Sequence, residues 1–313
     1  AKDVTVSGTY GSAITRTVSG TAFWNGSQSD DWFTPSNWTG ISDITDLETI
    51  SRIEIPGGFT RYPVATSDVT TAPSCALVIG EGGSCTFKGS ASLNNITLAP
   101  NATLESHGNL SISSMTAPNN SILKFNQGTG AQTTTFGEMN FYGASIDFGN
   151  DADDVFNMGA TGNAELNISS IPAVTLAGTI NSSNLTLNDS PTLAANTTLP
   201  KVTLAYDTVI SGAGYSLKLI DSLDSATAGT PRSLTVNANK VLLQYLAPVS
   251  DGPQIGATNN LKDITFNCDY EGKNGSNITC TGNFTVNGGA QFRGDITAYS
   301  IKVTKTMTFG GMC

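Results

Sequence analysis

One short unit recurs along this chain and limits what it can fold into. It is an apolar residue, then Thr, Ser or Lys, then a second apolar residue. It reads ITL at 96–98, LSI at 110–112, VTL at 174–176, LTL at 185–187 and VTL at 202–204. LKL at 217–219, LTV at 234–236, ITF at 264–266, FTV at 284–286, IKV at 301–303 and MTF at 307–309 continue it. Alternation of this kind puts the two apolar side chains on one face of a strand and the polar one on the other. Thr and Val also suit the pleated conformation. No apolar stripe with a 3.6-residue period competes with it, because Gly, Asn, Thr or Pro interrupts every such run. The chain is therefore expected to be all-β.

The units are short, and Asn, Gly, Asp or Pro separates them, as in APNA, NDSP, SGAG and NGG. Their spacing follows no strict repeat. Short strands at irregular intervals suit a β-solenoid or β-arch stack, in which each strand pairs with the strand of the next rung. The alternative is two β-sandwich domains. Three regions are expected: a Trp-containing N-terminal cap or anchor over residues 1–72, a solenoid body over 73–246, and a Cys-containing β region over 247–313. Composition narrows the functional classes. Charged residues make up only 13% of the chain and the net charge is −10. Lys and Arg are scattered, so no basic patch is expected for nucleic acid. No apolar run approaches the ~20 residues of a membrane-spanning helix.

Several features fit an exported protein. The first residues, AKDVTVSG, resemble the mature end left after a signal peptide is cut at a small residue. An extracellular or cell-surface location follows as an expectation. Cys75 and Cys85 flank one Gly-rich turn, and Cys268 and Cys280 flank another. Each pair is expected to form a local disulfide. Cys313 remains as a candidate for cross-linking to another copy. Asn-x-Ser/Thr triplets are more frequent than the Ser and Thr content would give by chance. The glycosylation candidates are Asn25, Asn37, Asn101, Asn109, Asn119, Asn188, Asn196, Asn274 and Asn277. Asn95 and Asn184 abut strand units and are expected to serve hydrogen-bonded ladders instead.

Reactive groups are few. The lone histidine, His107, sits in the turn ESHGN and is expected to be a solvated loop residue. Asp147, Asp151, Asp153 and Asp154 crowd one segment. Carboxylates at alternate loop positions can gather oxygen ligands for calcium, but this order lacks the Gly and closing Glu of an EF-hand. An acidic turn is the plainer reading, and no other cofactor is implied. GEGG at 80–83 and GAG at 212–214 open no helix, so turns are expected there. Trp24, Trp32 and Trp38 stand within one stretch of Gly, Asn and Pro. They are expected to pack as the cover a solenoid needs over its first rung, with a sugar platform or a contact surface for another subunit as the alternatives.

The stretch WNGSQSDDWFTPSNWTG, followed by SRIEIPGGFTRYPV, resembles a recurring opening of secreted prokaryotic β-solenoid surface proteins. Trp24, Asp31, Trp32, Asn37 and Trp38 carry the likeness, with Ile53, Ile55, Pro56, Tyr62 and Pro63. The cysteines, sequons and β texture are also similar in character to the amyloid-like sheath proteins of filamentous methanogenic archaea. These resemblances imply a structural protein that pairs strand edges with copies of itself into a surface layer, sheath or filament, with no enzymatic activity. The rival expectations are an adhesin binding cell-surface glycans and a polysaccharide-degrading enzyme using the acids at 151–154.

Overall fold

The computed structural model describes residues 20–141, 143–159, 162–227, 229–244, 253–273 and 275–310. The chain winds into a β-solenoid of about 11 turns. Nearly every strand pairing is parallel and joins one coil to the next, so the sandwich alternative is set aside. Three strand positions recur in each coil. The first ladder starts at Val69–Thr70 and runs through residues 91–93, 110–112 and 133–136 to Val155–Met158. It continues to Asp269–Gly272, Ala290–Phe292 and Met307–Phe309. The second begins at Thr21–Trp24 and passes through Arg52–Ile55 and Ala76–Ile79 to residues 138–141. From Glu165 onward a separate seven-stranded sheet, ending at Ile296–Thr297, takes this position in the coil. The third ladder runs from Val64–Ala65 to Ser300–Val303.

The coil explains the irregular spacing of the units. One turn takes 17 residues from Ala290 to Met307 and 30 from Leu234 to Ile264. Strand pairing fixes only the paired segments, and the corners absorb the difference. Some corners are crossed without a loop. In Ala91–Leu98 the alternation skips a beat at Asn94 and Asn95, which stay outside between buried Leu93 and Ile96. Ser113 and Ser114 do the same between Ile112 and Met115. Two outward residues in a row turn the strand onto the next face. GAG at 212–214, expected to be a turn, is likewise inside the strand Thr208–Leu219, at a register shift.

Inward residues stack in columns along the axis. Leu104, Leu123, Ile146 and Val174 are register partners, each at most 3% exposed. Phe125, Phe136, Phe148 and Phe156 fill the middle, with ring centroids from 4.6 to 5.9 Å apart. At one corner successive backbones nearly touch. A Cβ on Gly108 would lie 2.5 Å from the Gly89 carbonyl oxygen, and one on Gly128 would lie 2.1 Å from that of His107. Pairing crosses both expected regional boundaries. Arg52–Ile55 pairs with Ala76–Ile79, and Leu234–Leu243 pairs with Ile264–Phe266. The three regions thus share one stack.

Candidate functional site

The two ends of the stack differ. At the N-terminal end, Trp38–Thr39 folds back antiparallel onto Thr21–Trp24 and places Trp38 opposite Trp24. Asp31 bridges Val64 at the start of the third ladder. A short 3-10 helix, Ile44–Glu48, buries Leu47 beside Val69 at the start of the first. The three tryptophans are the centre of this cover. Trp38 meets Trp24 edge-on at 5.0 Å and Trp32 at 4.9 Å, and Trp32 leans on Phe87 at 5.6 Å. Trp24 Nε1 donates to the Arg61 carbonyl at 2.9 Å, and Trp38 Nε1 to that of Trp32 at 2.8 Å. None is more than 4% exposed, so these rings pack and offer no face as a sugar platform.

Among the described residues the C-terminal end of the stack is uncovered. Among the described residues, Ile296–Thr297, Ser300–Val303 and Met307–Phe309 each pair on one side only. Among the described residues no further coil meets their inward side chains. Ile301 is the register partner of Phe284 and Phe309 that of Phe292, both of which are buried. Yet Ile301 is 46% exposed and Phe309 68%. Met307 and Tyr299 are exposed beside them. The units IKV and MTF look like all the others in sequence. Their exposure depends on what stacks next, which no local signal carries.

No family model, curated protein or solved structure matches this chain. What the molecule can do therefore rests on its own geometry.

The cysteine expectation is corrected. Cys75, Cys85, Cys268 and Cys280 are free, buried thiols. Cys75 precedes the strand Ala76–Ile79 of the second ladder, whereas Cys85 lies in Ser84–Phe87 of the third. Cys268 adjoins the first ladder, and Cys280 follows Asn277–Thr279 of the second. Close spacing in sequence suggests a local hairpin or adjacent rungs. In a coil, consecutive strands turn a corner and separate. Burial pushes the thiols of Cys75 and Cys280 up to about 11, and raises Cys85 and Cys268 as well. They therefore stay protonated and poorly nucleophilic at neutral pH. Cys313 and Asn274 lie outside the described residues.

The remaining asparagines divide by burial. Asn37 is fully buried and its amide organises the cap. Its oxygen accepts from the Gln28 and Ser29 backbone N–H groups, and its nitrogen donates to Ser29 Oγ and the Asp31 carbonyl. Asn188 is buried too and donates to the Ile171 carbonyl. Both are withdrawn as glycan acceptors. Asn101 and Asn119 are exposed. Asn109, Asn196 and Asn277 reach outward, but each oxygen accepts a backbone N–H of the next coil, from Thr133, Ser216 and Asp295. Asn25 accepts from Ser27 N and donates to Thr39 Oγ1. Asn95 and Asn184 accept from the hydroxyls of Ser114 and Thr203 one coil on, so they serve inter-coil ladders. An asparagine ladder runs through Asn237, Asn267 and Asn287 at 2.6 and 2.7 Å.

The acidic segment closes on itself. Asp154 is 1% exposed and accepts from the Gln132 and Asp151 backbone N–H groups. Asp151 accepts from Asp153 N, and Asp147 from Gly149 N. Burial raises the carboxyl pKa of Asp147 and Asp154 against the pull of these hydrogen bonds. Among the described residues no group of three or more His, Cys, Asp or Glu side chains is arranged to hold a metal ion. His107 Nε2 lies 2.6 Å from Glu105 Oε1, and Glu105 also accepts from Lys124, so this histidine is part of a surface hydrogen-bonded cluster. No helix among the described residues is long and apolar enough to cross a membrane.

Proposed function

We propose that this chain is an extracellular structural protein that assembles with copies of itself, through strand edges, into a surface layer, sheath or filament. The observation that carries this reading is the last described coil. Among the described residues it combines three strands lacking an outer partner with exposed, inward-facing Ile301, Met307 and Phe309. A parallel ladder is a template for further pairing at ~4.8 Å per strand. Rows of hydroxyls and amides on the outer faces add bonds along the axis.

Electron microscopy of the purified protein tests the reading. Ordered filaments, tubes or sheets are expected, and Phe309→Asp is expected to suppress them while leaving the fold intact. A monodisperse monomer under all conditions overturns it. A second reading, glycan binding at a cell surface, has one supporting observation. A groove of about 420 Å³ runs over the register-matched hydroxyls of Thr70, Ser92, Ser111 and Thr135. Glycan-array binding lost on Ser92→Ala with Ser111→Ala would favour it.

A further inference from the structure

We infer that the uncovered C-terminal end takes the N-terminal end of a second copy, so that assembly is head-to-tail. This rests on the self-assembly reading and adds the identity and polarity of the contact. Among the described residues the ends carry opposite charge. The cover, residues 20–51, holds Asp30, Asp31, Asp43, Asp46 and Glu48 and no cation of its own, and the Arg61 that donates to its Gln28 carbonyl leaves it net acidic. The last coil, residues 296–310, holds Lys302 and Lys305 and has no acid.

Part of the acidic charge is committed to the cover itself. Asp46 is buried and accepts from the Ser42 and Asp43 backbone N–H groups, while Asp31 accepts from Phe33 N and Thr34 Oγ1. Asp30 and Glu48 are exposed and make no ion pair among the described residues. The same is true of Lys302 and Lys305 at the other end. Lys302 projects outward from an edge strand, a device that discourages indiscriminate edge pairing. Two C-terminal ends brought together would oppose four lysines across a poorly solvated contact. An acidic end relieves that cost and selects the partner. A contact between two different surfaces of the same chain does not close on itself by twofold symmetry. It propagates into a ring or an open filament, as a layer or sheath requires. A C-terminal end meeting another C-terminal end would stop at a dimer.

A charge-swap experiment decides it. Lys302→Glu with Lys305→Glu reverses one end, and Asp30→Lys with Glu48→Lys reverses the other. All four positions are exposed, and circular dichroism and Trp emission verify that each variant is folded. Sedimentation and electron microscopy follow assembly in low salt. Each variant alone is expected to raise the concentration needed for assembly by about tenfold or more, and an equimolar mixture to restore it. Wild-type assembly is expected to weaken as salt rises from about 0.05 to about 0.5 M. If the variant reversed at 30 and 48 assembles like wild type while the variant reversed at 302 and 305 does not, the contact is between C-terminal ends and the inference is overturned. If both assemble like wild type, the inference fails and the self-assembly reading stands. If wild type itself never assembles, that reading falls, and this inference falls with it.

Discussion

Trp38→Ala removes the ring that holds the N-terminal cover together. Trp38 is 4% exposed, touches Trp24 and Trp32 edge-on at 5.0 and 4.9 Å, and donates to the Trp32 carbonyl at 2.8 Å. Truncating a buried aromatic to Ala costs about 3–5 kcal/mol. Edge-to-face pairs carry about 0.5–1.5 kcal/mol each beyond buried area, and two of them place this site near the upper end of that range, at about 4–5 kcal/mol. Trp38→Phe keeps a ring and loses chiefly the indole hydrogen bond, for about 1–2 kcal/mol. In a solenoid each coil touches only its neighbours, so the loss is felt first at the N-terminal end. All the tryptophans sit there, and Trp24 and Trp32 remain as reporters. In guanidinium titrations, Trp emission should report unfolding of the Trp38→Ala cover at lower denaturant than far-ultraviolet circular dichroism reports for the whole stack. Trp38→Phe should lie between wild type and Trp38→Ala. Coincident transitions at the wild-type midpoint for Trp38→Ala would refute the cap. Loss of glycan binding without loss of stability would restore the platform.

Three further outcomes follow from particular contacts. Gly108→Ala places a Cβ against the Gly89 backbone and should destabilise the fold by about 1–3 kcal/mol in urea titrations, whereas an unchanged midpoint would show that the corner is loose. Cys75, Cys85, Cys268 and Cys280 should resist alkylation at pH 8 in the native protein and react fully in denaturant; mass spectra of unreduced peptides joined 75–85 or 268–280 would contradict the placement of these residues on separate faces. Asp147 has a raised carboxyl pKa in the fold, chiefly through burial, so the fold holds its proton more tightly than the unfolded chain does. Its contribution to stability is greatest at low pH and shrinks as pH rises through the interval between about 4 and the raised value. Comparing urea midpoints from pH 4 to 7, wild type should lose stability relative to Asp147→Asn, and parallel curves would contradict the burial argument.

The sequence by itself determined that the chain is all-β and which way the side chains of its apolar–polar–apolar units face. Alternation is local: a VTL or ITF triplet places its apolar pair on one face whatever surrounds it. It also marked Trp24, Trp32 and Trp38 as a cover, because bulky rings among Gly and Pro have few other uses at the start of a β-stack. What lies next to each strand was decided only by the tertiary structure. Cys75 and Cys85 are close in sequence and apart in the coil, because a corner stands between them. Asn37 and Asn101 belong to the same triplet pattern, yet one lies under the cover and the other on the surface. The final units read like interior ones, and only the absence of another coil above Ile301 and Phe309 among the described residues makes them an open end. Burial in a solenoid comes from the neighbouring coil, many residues away, so a local pattern can specify a strand but not its place in the stack.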